Sequence, residues 1–274
     1  MEYISSLNNE KVKYISKLVK SAKERRVSGE FVAEGLRMVR EIPEEDVLKI
    51  YFTQECFDRY AEKDERLRKL IKKADEKGGA FTVTDQILKK MSDTETPQGI
   101  LATVKIKEKK LEDIYHTDPG ESDGSPFLLI LERLQDPGNM GTIVRSAEGA
   151  GCSGIVVSSD SVDIYSPKVV RSTMGSIFRS CIYISHDLKK DIDLLKEKGI
   201  SIYAMHLRGQ SMYEADFTGP SAFLIGNEGA GLSDEISRKA DKLILIPMKG
   251  EVESLNAAVS ASLICYETLR QRMK

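Results

Sequence analysis

The sequence has few of the residues that usually build metal and thiol chemistry. It contains 4 cysteines and 3 histidines in 274 residues. No two cysteines form a C-x-x-C pair, so neither a zinc knuckle nor a disulfide framework is predicted. The three histidines, His116, His186 and His206, are too dispersed along the chain to predict a metal site or a catalytic triad.

Long apolar runs and two common catalytic motifs are also missing. The longest apolar runs, such as Phe127–Leu131, fall far short of the roughly 20 residues that a membrane helix needs, so no membrane span is expected. The first residues, Met1–Ile4, carry neither the basic start nor the apolar block of a secretory signal, which predicts a cytoplasmic protein. No G-x-x-x-x-G-K-[ST] loop and no G-x-S-x-G elbow occurs, which argues against an NTPase or a serine hydrolase.

One glycine string imitates a dinucleotide-binding motif. Gly149–Gly154 matches the G-x-G-x-x-G pattern, but that fingerprint must follow a strand and open a helix. Here the string follows a predicted helix and leads into a predicted strand, so its glycines are interpreted as a helix terminus. An oxidoreductase hypothesis, which would require NADH binding, depends on this misplaced string alone.

The net charge of −2 conceals an asymmetry along the chain. Residues 1–110 carry 24 Lys and Arg against 20 Asp and Glu, and the excess falls in the first forty residues, where nine basic side chains meet five acidic ones. A basic leading segment on a nearly neutral protein suits a phosphate-binding face. A solvated helix surface explains such a charge run equally well.

Hydrophobic periodicity divides the chain into two predicted α/β domains. Residues 1–106 begin with a basic amphipathic helix, Asn9–Arg26, and then alternate short apolar strands with helices. Residues 107–126 are poor in apolar side chains and rich in turn formers, which predicts a linker. Residues 127–274 alternate continuous apolar strands with helices, which predicts a mostly parallel sheet covered by helices on both faces. The predicted strands are Phe127–Leu134, Gly154–Ser158, Cys181–Ser185, Ser201–His206, Ala222–Ile225 and Leu243–Pro247; the last helix is predicted from Leu255 to about Met273.

Ligands of parallel α/β sheets bind beyond the carboxyl ends of the strands, and one candidate loop follows the first strand of the second domain. Pro137 and Gly138 predict a tight exit from that strand, and Asn139 is predicted to cap the following helix. Arg145 lies about a turn and a half further along. It is either an ordinary surface charge or a phosphate or substrate ligand, since a guanidinium suits bidentate recognition of phosphate.

Two more candidate segments follow later strands. In Gly226–Leu232 the glycines are expected to allow the close approach of a ligand, and Glu228 is the one charged group. After the next strand, Ser254 is predicted to cap the terminal helix, which leaves Asn256 without a structural role. The small side chains of Ala257–Ser262 predict a close approach to another helix, which a second subunit could supply.

With these three segments the chain resembles the SpoU (TrmH-like) family of RNA ribose 2′-O-methyltransferases, within the SPOUT class. Pro137–Arg145 matches the pattern P-G-N-x-G-x-x-x-R, Gly226–Leu232 matches G-x-E-G-x-G-L, and Ile246–Asn256 matches I-P-M-x-G-x-x-x-S-L-N. The resemblance extends to the first domain through Phe31–Gly35 and Thr96–Gly99. These look like the family's substrate-binding domain, which is similar in fold to small RNA-binding ribosomal proteins.

The resemblance implies methyl transfer from S-adenosylmethionine to a ribose 2′-hydroxyl, in a homodimer with a C-terminal trefoil knot and no metal. It implies that Arg145 is the catalytic group. Because an arginine is almost always protonated, orientation and charge stabilisation are favoured over a literal base. The other implied catalytic residues are Asn139, Glu228, Ser254 and Asn256. The expected cofactor residues are Gly226, Asn227, Ile246, Met248 and Leu255, with His206 beside them at a strand end.

The ribosomal-protein-like leading domain favours ribosomal RNA over transfer RNA as the partner. A transfer-RNA-directed 2′-O-methyltransferase is the alternative within the same reaction. A non-catalytic RNA-binding or ribosome-assembly protein that retains the fold is the alternative outside it. The intact set of five polar residues at the site argues against a pure binding protein, which would not need all of them.

Overall fold

The computed structural model describes residues 1–115 and 125–273, and the chain divides into two compact units. The first unit is Met1–Lys107 together with Asp163–Phe178, and the second is Glu108–Val162 together with Arg179–Lys274. The inserted segment Asp163–Phe178 lies in the part of the sequence that was predicted to belong to the second domain. Its grouping with the first unit is therefore a finding of the structure.

The first unit is built on a five-stranded mixed sheet. Numbered along the chain, its strands are β1 (Glu2–Ile4), β2 (Glu30–Glu34), β3 (Val47–Phe52), β4 (Ala80–Val83) and β5 (Ile100–Lys105). Its helices are α1 (Glu10–Lys20), α2 (Ala22–Ser28), α3 (Leu36–Glu41), α4 (Gln54–Cys56) with a π-helical turn at Phe57–Ala61, α5 (Glu65–Glu76), α6 (Asp85–Met91) and α9 (Pro167–Ser172). The strand order is β1-β4-β3-β5-β2, in which β5 is antiparallel to both of its neighbours.

The leading basic helix is two helices instead of one. The hydroxyl of Ser21 accepts a hydrogen bond from the backbone N–H of Glu24, so Ser21 ends α1 and caps α2. A serine that bonds a nearby backbone N–H favours a helix start over a helix interior. The buried face of α1 consists of the apolar residues that the periodicity predicted, Val12, Ile15, Leu18 and Val19.

The inserted segment is held in the first unit by one buried ion pair and by aromatic packing. Arg25 is only 4% exposed, and its guanidinium donates to Asp163 Oδ2 from Nε at 2.8 Å and from a terminal nitrogen at 2.6 Å. The ring of Phe31 lies 5.0 Å from that of Tyr165 and 6.1 Å from that of Phe178, measured between centroids. The segment is thus integrated into the core of this unit.

The second unit is built on a six-stranded parallel sheet. Its strands are β6 (Phe127–Leu131), β7 (Gly154–Ser158), β8 (Ile182–Ser185), β9 (Ser201–Ser211), β10 (Ser221–Ile225) and β11 (Lys242–Leu245). Its helices are α7 (Leu111–Tyr115), α8 (Pro137–Gly149), α10 (Leu188–Glu197), α11 (Asp234–Ser237) and α12 (Ala257–Arg272). The order is β11-β9-β10-β6-β7-β8 and every pair is parallel. The predicted α/β class with a parallel sheet is confirmed.

The central strands are covered on both faces. Every residue of β6, β7 and β10 is buried, which explains why these strands are continuous apolar runs instead of alternating ones. On one face Leu128 and Ile130 join a cluster with Ile192 and Leu195 of α10. On the other face Phe223 packs edge-on against Phe217, with 5.0 Å between their centroids.

Several predicted boundaries were wrong, each for a local reason. Strand β6 ends at Leu131 instead of Leu134, because Arg133 turns the chain with a φ of 53°. Strand β9 extends to Ser211 instead of ending at His206. Within the predicted linker, Leu111–Tyr115 forms α7 and buries two apolar side chains. The rest of that tract, residues 116–124 with His116, lies outside the described residues.

Candidate active site

A cleft of about 650 Å³ lies in the second unit where β10 and β11 end, beside the middle of β9. Its walls come from Met205–Arg208 in the second half of β9, from Ile225–Leu232 at and after the end of β10, and from residues around the end of β11 and the start of α12. The volume falls in the range of about 300–1,000 Å³ that is usual for small-molecule sites. The position is the one expected for a parallel sheet, beyond the carboxyl ends of the strands.

The loop after β10 is closed by bonds within itself. The backbone of Asn227 donates to Gly231 O at 3.1 Å and accepts from Gly231 N at 2.9 Å. The side-chain Oδ1 of Asn227 accepts from Gly229 N and Ala230 N, both at 2.9 Å. Its Nδ2 donates to the carbonyl of Arg133 at 2.8 Å. Asn227 therefore organises the turn that forms one wall of the cleft and ties it to the end of β6.

Gly226 is required by the loop itself. A Cβ at this position would lie 2.2 Å from both Gly231 C and Leu232 N, so any side chain would prevent the loop from folding back. The sequence interpretation assigned this glycine to ligand approach. The structure gives a different cause, although Gly226 does line the cleft.

Glu228 joins this loop to the start of α8. Its carboxylate accepts from the backbone N–H groups of Gln135 at 3.1 Å and Asp136 at 3.0 Å, and from Asn139 Nδ2 at 3.2 Å. Partial desolvation raises the pKa of Glu228, but the hydrogen bonds from backbone N–H groups, led by that of Asp136, and from Asn139 outweigh it and hold the pKa below its ordinary value. Glu228 is therefore an ionised acceptor at neutral pH.

A chain of amide contacts continues from Glu228 to α12. Asn139 Oδ1 accepts from Asn256 Nδ2 at 2.9 Å, and Asn256 Oδ1 accepts from Ala258 N at 2.8 Å and Val259 N at 3.3 Å. Each amide is therefore oriented, since Asn139 presents its nitrogen to Glu228 and its oxygen to Asn256. The three hydrogen-bonded side chains of Glu228, Asn139 and Asn256 link the starts of two helices. They are called the polar chain below.

Two predicted helix caps were wrong, and the residues that do cap these helices lie three positions before Asn139 and two after Ser254. Asp136, not Asn139, caps α8, because its Oδ1 accepts from Asn139 N at 2.7 Å. Asn256, not Ser254, caps α12. The prediction that a polar side chain caps each of these helices was correct, since Asp and Asn are both strong capping residues.

The structure gathers most of the predicted site residues at one cleft. Those that line it are His206, Gly226, Asn227, Glu228, Ile246, Met248, Ser254 and Leu255. Asn139 and Asn256 adjoin it through Glu228. Arg145 does not join them, because it is exposed on α8 and is not among the residues that line the cleft. Within the described residues its guanidinium has no hydrogen-bond or ion-pair partner.

The sequence interpretation missed one residue that is bonded to the site, Asp136, and several that line the cleft. The helix-start role of Asp136 could have been found, because an Asp directly before Pro-Gly and a helix is a capping signal. Leu207, Arg208 and Asp234 line the cleft, and none of them lies in one of the three motif segments. Only the fold brings them to the site.

The part of the chain that the structure describes has no group of three or more His, Cys, Asp and Glu side chains arranged to hold a metal ion. Across the same residues, no helix combines the length and apolarity that crossing a bilayer requires.

The parallel sheet with a cleft beyond its strand ends, preceded by a smaller α/β unit, defines a two-part α/β ligand-binding protein. Comparison with known protein families identifies the family to which the chain belongs. The chain belongs to the SpoU rRNA methylase family, whose model matches residues 126–266. A model of the MRM3-like substrate binding domain matches residues 9–102. The resemblance drawn from the three motifs is thereby confirmed.

Curated relatives cover much of the chain. The 23S rRNA (guanosine(2553)-2′-O)-methyltransferase RlmP of Bacillus subtilis is 30% identical over 267 residues, which are 97% of this chain and 98% of RlmP. The 23S rRNA (guanosine-2′-O-)-methyltransferase RlmB of Shewanella oneidensis is 34% identical over 211 residues, which are 76% of this chain and 85% of RlmB.

Solved structures agree over the whole length. An AdoMet-bound rRNA methyltransferase from Sinorhizobium meliloti superposes with a TM-score of 0.83 at 28% identity, covering 100% of this chain and 99% of its own. The SpoU methyltransferase AviRb from Streptomyces viridochromogenes, in complex with AdoMet, has a TM-score of 0.80 at 28% identity, covering 97% of this chain and 99% of its own.

Proposed function

We propose that this protein transfers a methyl group from S-adenosylmethionine to a ribose 2′-hydroxyl of RNA, with ribosomal RNA as the substrate. The observation that carries the proposal is the convergence of all three motif segments, since two line one cleft and the third is bonded to it through Glu228. Relatives that match most of this chain are named as 23S rRNA 2′-O-methyltransferases, and related structures hold AdoMet.

The cleft fits the methyl donor in both size and chemistry. Ile246, Met248 and Leu255 provide apolar wall, while Glu228 and Ser254 provide polar groups. Apolar walls combined with placed polar groups are usual for cofactor sites. When bound, S-adenosylmethionine supplies an electrophilic methyl group on a positively charged sulfur.

The residues of this chain must supply orientation and charge stabilisation. A 2′-hydroxyl is a weak nucleophile, so its oxygen has to be held in line with the methyl group. As the O–C bond forms and the S–C bond breaks, the hydroxyl proton passes to an RNA phosphate or to water. The polar chain provides a fixed, oriented set of donors and acceptors at the start of α12, where Ser254 is also exposed. In this proposal, Arg145 stabilises the charge that develops during transfer, as a permanently protonated guanidinium can.

Arg145 leads us to infer a homodimer, because within one chain it lies outside the cleft. Helix α12 exposes an apolar stripe at Val259, Leu263 and Tyr266, which are 46%, 37% and 53% exposed. A continuous apolar face at helical spacing suits self-association. Helix α8 packs beside α12, with Ser146 Oγ 2.7 Å from Ser262 Oγ. A second copy seated on this stripe would lie close to the helix that carries Arg145.

The dimer is tested by the substitution Leu263→Arg, with Val27→Arg as a control, since Val27 is an exposed apolar residue of the first unit at 78%. Sedimentation should show a dimer for the unaltered protein and the control, and a monomer for Leu263→Arg. The monomer should still bind S-adenosylmethionine but should not methylate RNA. A fully active monomer would contradict the inferred role of the second subunit.

We also infer that residues 1–106 bind the RNA and that residues 127–274 carry out catalysis. The catalytic part is inferred to contain a C-terminal trefoil knot, and the protein is inferred to methylate ribosomal RNA in the cytoplasm. The model match to a substrate binding domain supports the first inference. So do four exposed cations on the leading helices, Lys17, Lys20, Lys23 and Arg26, whose side chains form no hydrogen bond or ion pair among residues 1–115 and 125–273.

Cofactor binding separates the enzyme from a non-catalytic RNA-binding protein of the same fold. Titration calorimetry with S-adenosylmethionine, in the absence of RNA, should show one site for each chain. S-Adenosylhomocysteine, which has no methyl group to transfer, should compete for the same site. The absence of binding at millimolar cofactor would contradict the enzyme and favour the RNA-binding alternative.

A further inference from the structure

We propose that Arg208 is a specificity-determining residue that binds the carboxylate of the amino-acid part of the methyl donor. The inference rests on the proposed function, because it assigns a contact to the cofactor named there. Arg208 lies outside the three motif segments, and it is identified by the shape of β9, the charges of the cleft and the chemistry of the cofactor.

Strand β9 carries a large bulge where it passes the cleft. It pairs Ala204 with Leu243 of β11, and the next pair joins Gln210 with Ile244. Leu243 and Ile244 are adjacent on β11, but their partners on β9 are separated by five unpaired residues, Met205–Gly209. Four of these five line the cleft. Bulges of this kind re-aim side chains and are common beside functional sites.

The bulge is held in shape at two points. The ring nitrogen Nδ1 of His206 accepts from the backbone N–H of Arg208 at 3.1 Å, which places the proton of a neutral ring on Nε2. At the end of the bulge, a Cβ on Gly209 would lie 2.5 Å from both Leu243 C and Ile244 N. The backbone of Arg208 is thus fixed between a side-chain bond and a close strand contact.

The side chain of Arg208 is free to bind a ligand. It is exposed, and no described residue forms a hydrogen bond or an ion pair with it. Among the described residues that line the cleft, Arg208 is the only lysine or arginine, whereas three are acidic, Glu228, Asp234 and Glu253. The cleft therefore offers one lysine or arginine side chain among charged side chains that are otherwise acidic.

The methyl donor needs such a partner. S-Adenosylmethionine carries positive charge on its sulfonium and its ammonium group, which suit an acidic lining, and negative charge on one carboxylate, which does not. A guanidinium binds a carboxylate through two parallel hydrogen bonds. The geometry therefore assigns the carboxylate to Arg208 and gives His206 the role of a positioning residue that holds the bulge.

The test measures dissociation constants by calorimetry without RNA, for S-adenosylmethionine and for its decarboxylated analogue, which keeps the sulfonium and the amine. Arg208→Gln should weaken binding of S-adenosylmethionine by about 10-fold, the loss expected for one charge-assisted contact. It should leave the affinity for the decarboxylated analogue unchanged. Lys198→Gln, which removes an equal charge from an exposed residue that does not line the cleft, should change neither constant.

His206→Phe should weaken binding of S-adenosylmethionine more than binding of the decarboxylated analogue, as Arg208→Gln does. The double variant His206→Phe/Arg208→Gln should show no greater difference between the two ligands than Arg208→Gln alone. A general packing defect would instead weaken both ligands equally, which would overturn the positioning role. If Arg208→Gln binds both ligands as the unaltered protein does but binds RNA less tightly, Arg208 contacts phosphate and the inference is overturned. If the unaltered protein binds neither ligand, the proposed function itself fails.

Discussion

The oxygen Oδ1 of Asn139 accepts a hydrogen bond from Nδ2 of Asn256 at 2.9 Å, across a sequence separation of 117 residues. The contact joins the first turn of α8 to the cap of α12. On its other side, Asn139 donates to Glu228 in the loop after β10. Three segments that are far apart in the sequence therefore share one set of oriented amide groups, and the first two predictions concern that set.

Substitution of Asn256 separates its capping role from its role in the polar chain. Asn256→Asp keeps the oxygen that caps α12, but it places a carboxylate oxygen next to Asn139 Oδ1, which repels it. The Asn139 amide cannot rotate to relieve this repulsion without losing its hydrogen bond to Glu228. Asn256→Ala loses both roles and should cost about 1 kcal/mol of unfolding free energy. Both variants should lower methyl transfer by roughly 10-fold or more, but in urea unfolding only Asn256→Ala should lose the capping contribution. Normal activity of Asn256→Asp would show that the polar chain is not needed.

The lowered pKa of Glu228 predicts how acid affects the loop. A carboxylate whose folded-state pKa is below its ordinary value of 4.5 stabilises the fold fully above that pH, and the contribution is lost as the pH falls through the folded-state pKa. At pH 7, Glu228→Gln should therefore melt at a lower temperature than the unaltered protein. The difference should shrink as the pH is lowered from 4.5. A difference that stays constant with pH would contradict the ionised role of Glu228.

Arg145→Ala should reduce methylation by roughly 100-fold or more, because it removes the charge that stabilises the transition state. Cofactor affinity and the dimer should be unchanged, since Arg145 does not line the cleft of its own chain. Thr142→Ala, an exposed position on the same helix, serves as the control and should be fully active. Weaker cofactor binding by Arg145→Ala would mean that its role has been assigned to the wrong ligand.

The free cations of the leading helices should set RNA affinity. Replacement of Lys17, Lys20 and Lys23 by Gln should weaken RNA binding and reduce the slope of log affinity against log salt by about 0.7–0.9 for each lost phosphate contact. Cofactor affinity should not change. Replacement of Lys63, Lys72 and Lys77, three exposed lysines of the same unit, removes equal charge and should have a smaller effect. Equal effects of the two triple variants would point to nonspecific attraction alone.

These charge variants are a cleaner test than removal of residues 1–105. The inserted segment Asp163–Phe178 is part of the first unit, and Tyr165 and Phe178 stack on Phe31. Truncation would expose those rings and leave Asp163 without Arg25. The local sequence pattern gives no sign of this grouping, because a short helix at Pro167–Ser172 has the same periodicity whichever sheet it packs against.

The strands of the second unit were the most predictable part of the chain. Strands β6, β7 and β10 are buried along their whole length, so their apolar runs show in the sequence without any knowledge of their neighbours. The positions of Glu228 and Ile246 just after strand ends followed from the same pattern, and so did the position of Leu255 before the terminal helix. The cleft they form could therefore be anticipated.

Contacts across long sequence distances were not predictable in the same way. The bonds from Asn139 to Glu228, 89 residues away, and to Asn256, 117 residues away, leave no trace in the local pattern. The bulge at Met205–Gly209 depends on the register of β9 against β11. Local pattern carries no information about that register, and so Arg208 was missed.

The central claim is tested most directly by the chemistry of the product. The protein is incubated with S-adenosylmethionine carrying a labelled methyl group and with unmodified ribosomal RNA, and the RNA is then digested to nucleosides and analysed by mass spectrometry. We expect the label on a ribose 2′-oxygen, at one nucleotide, and roughly 100-fold less label or lower still with Arg145→Ala. Label on a base, or no label although the cofactor binds, would contradict that claim.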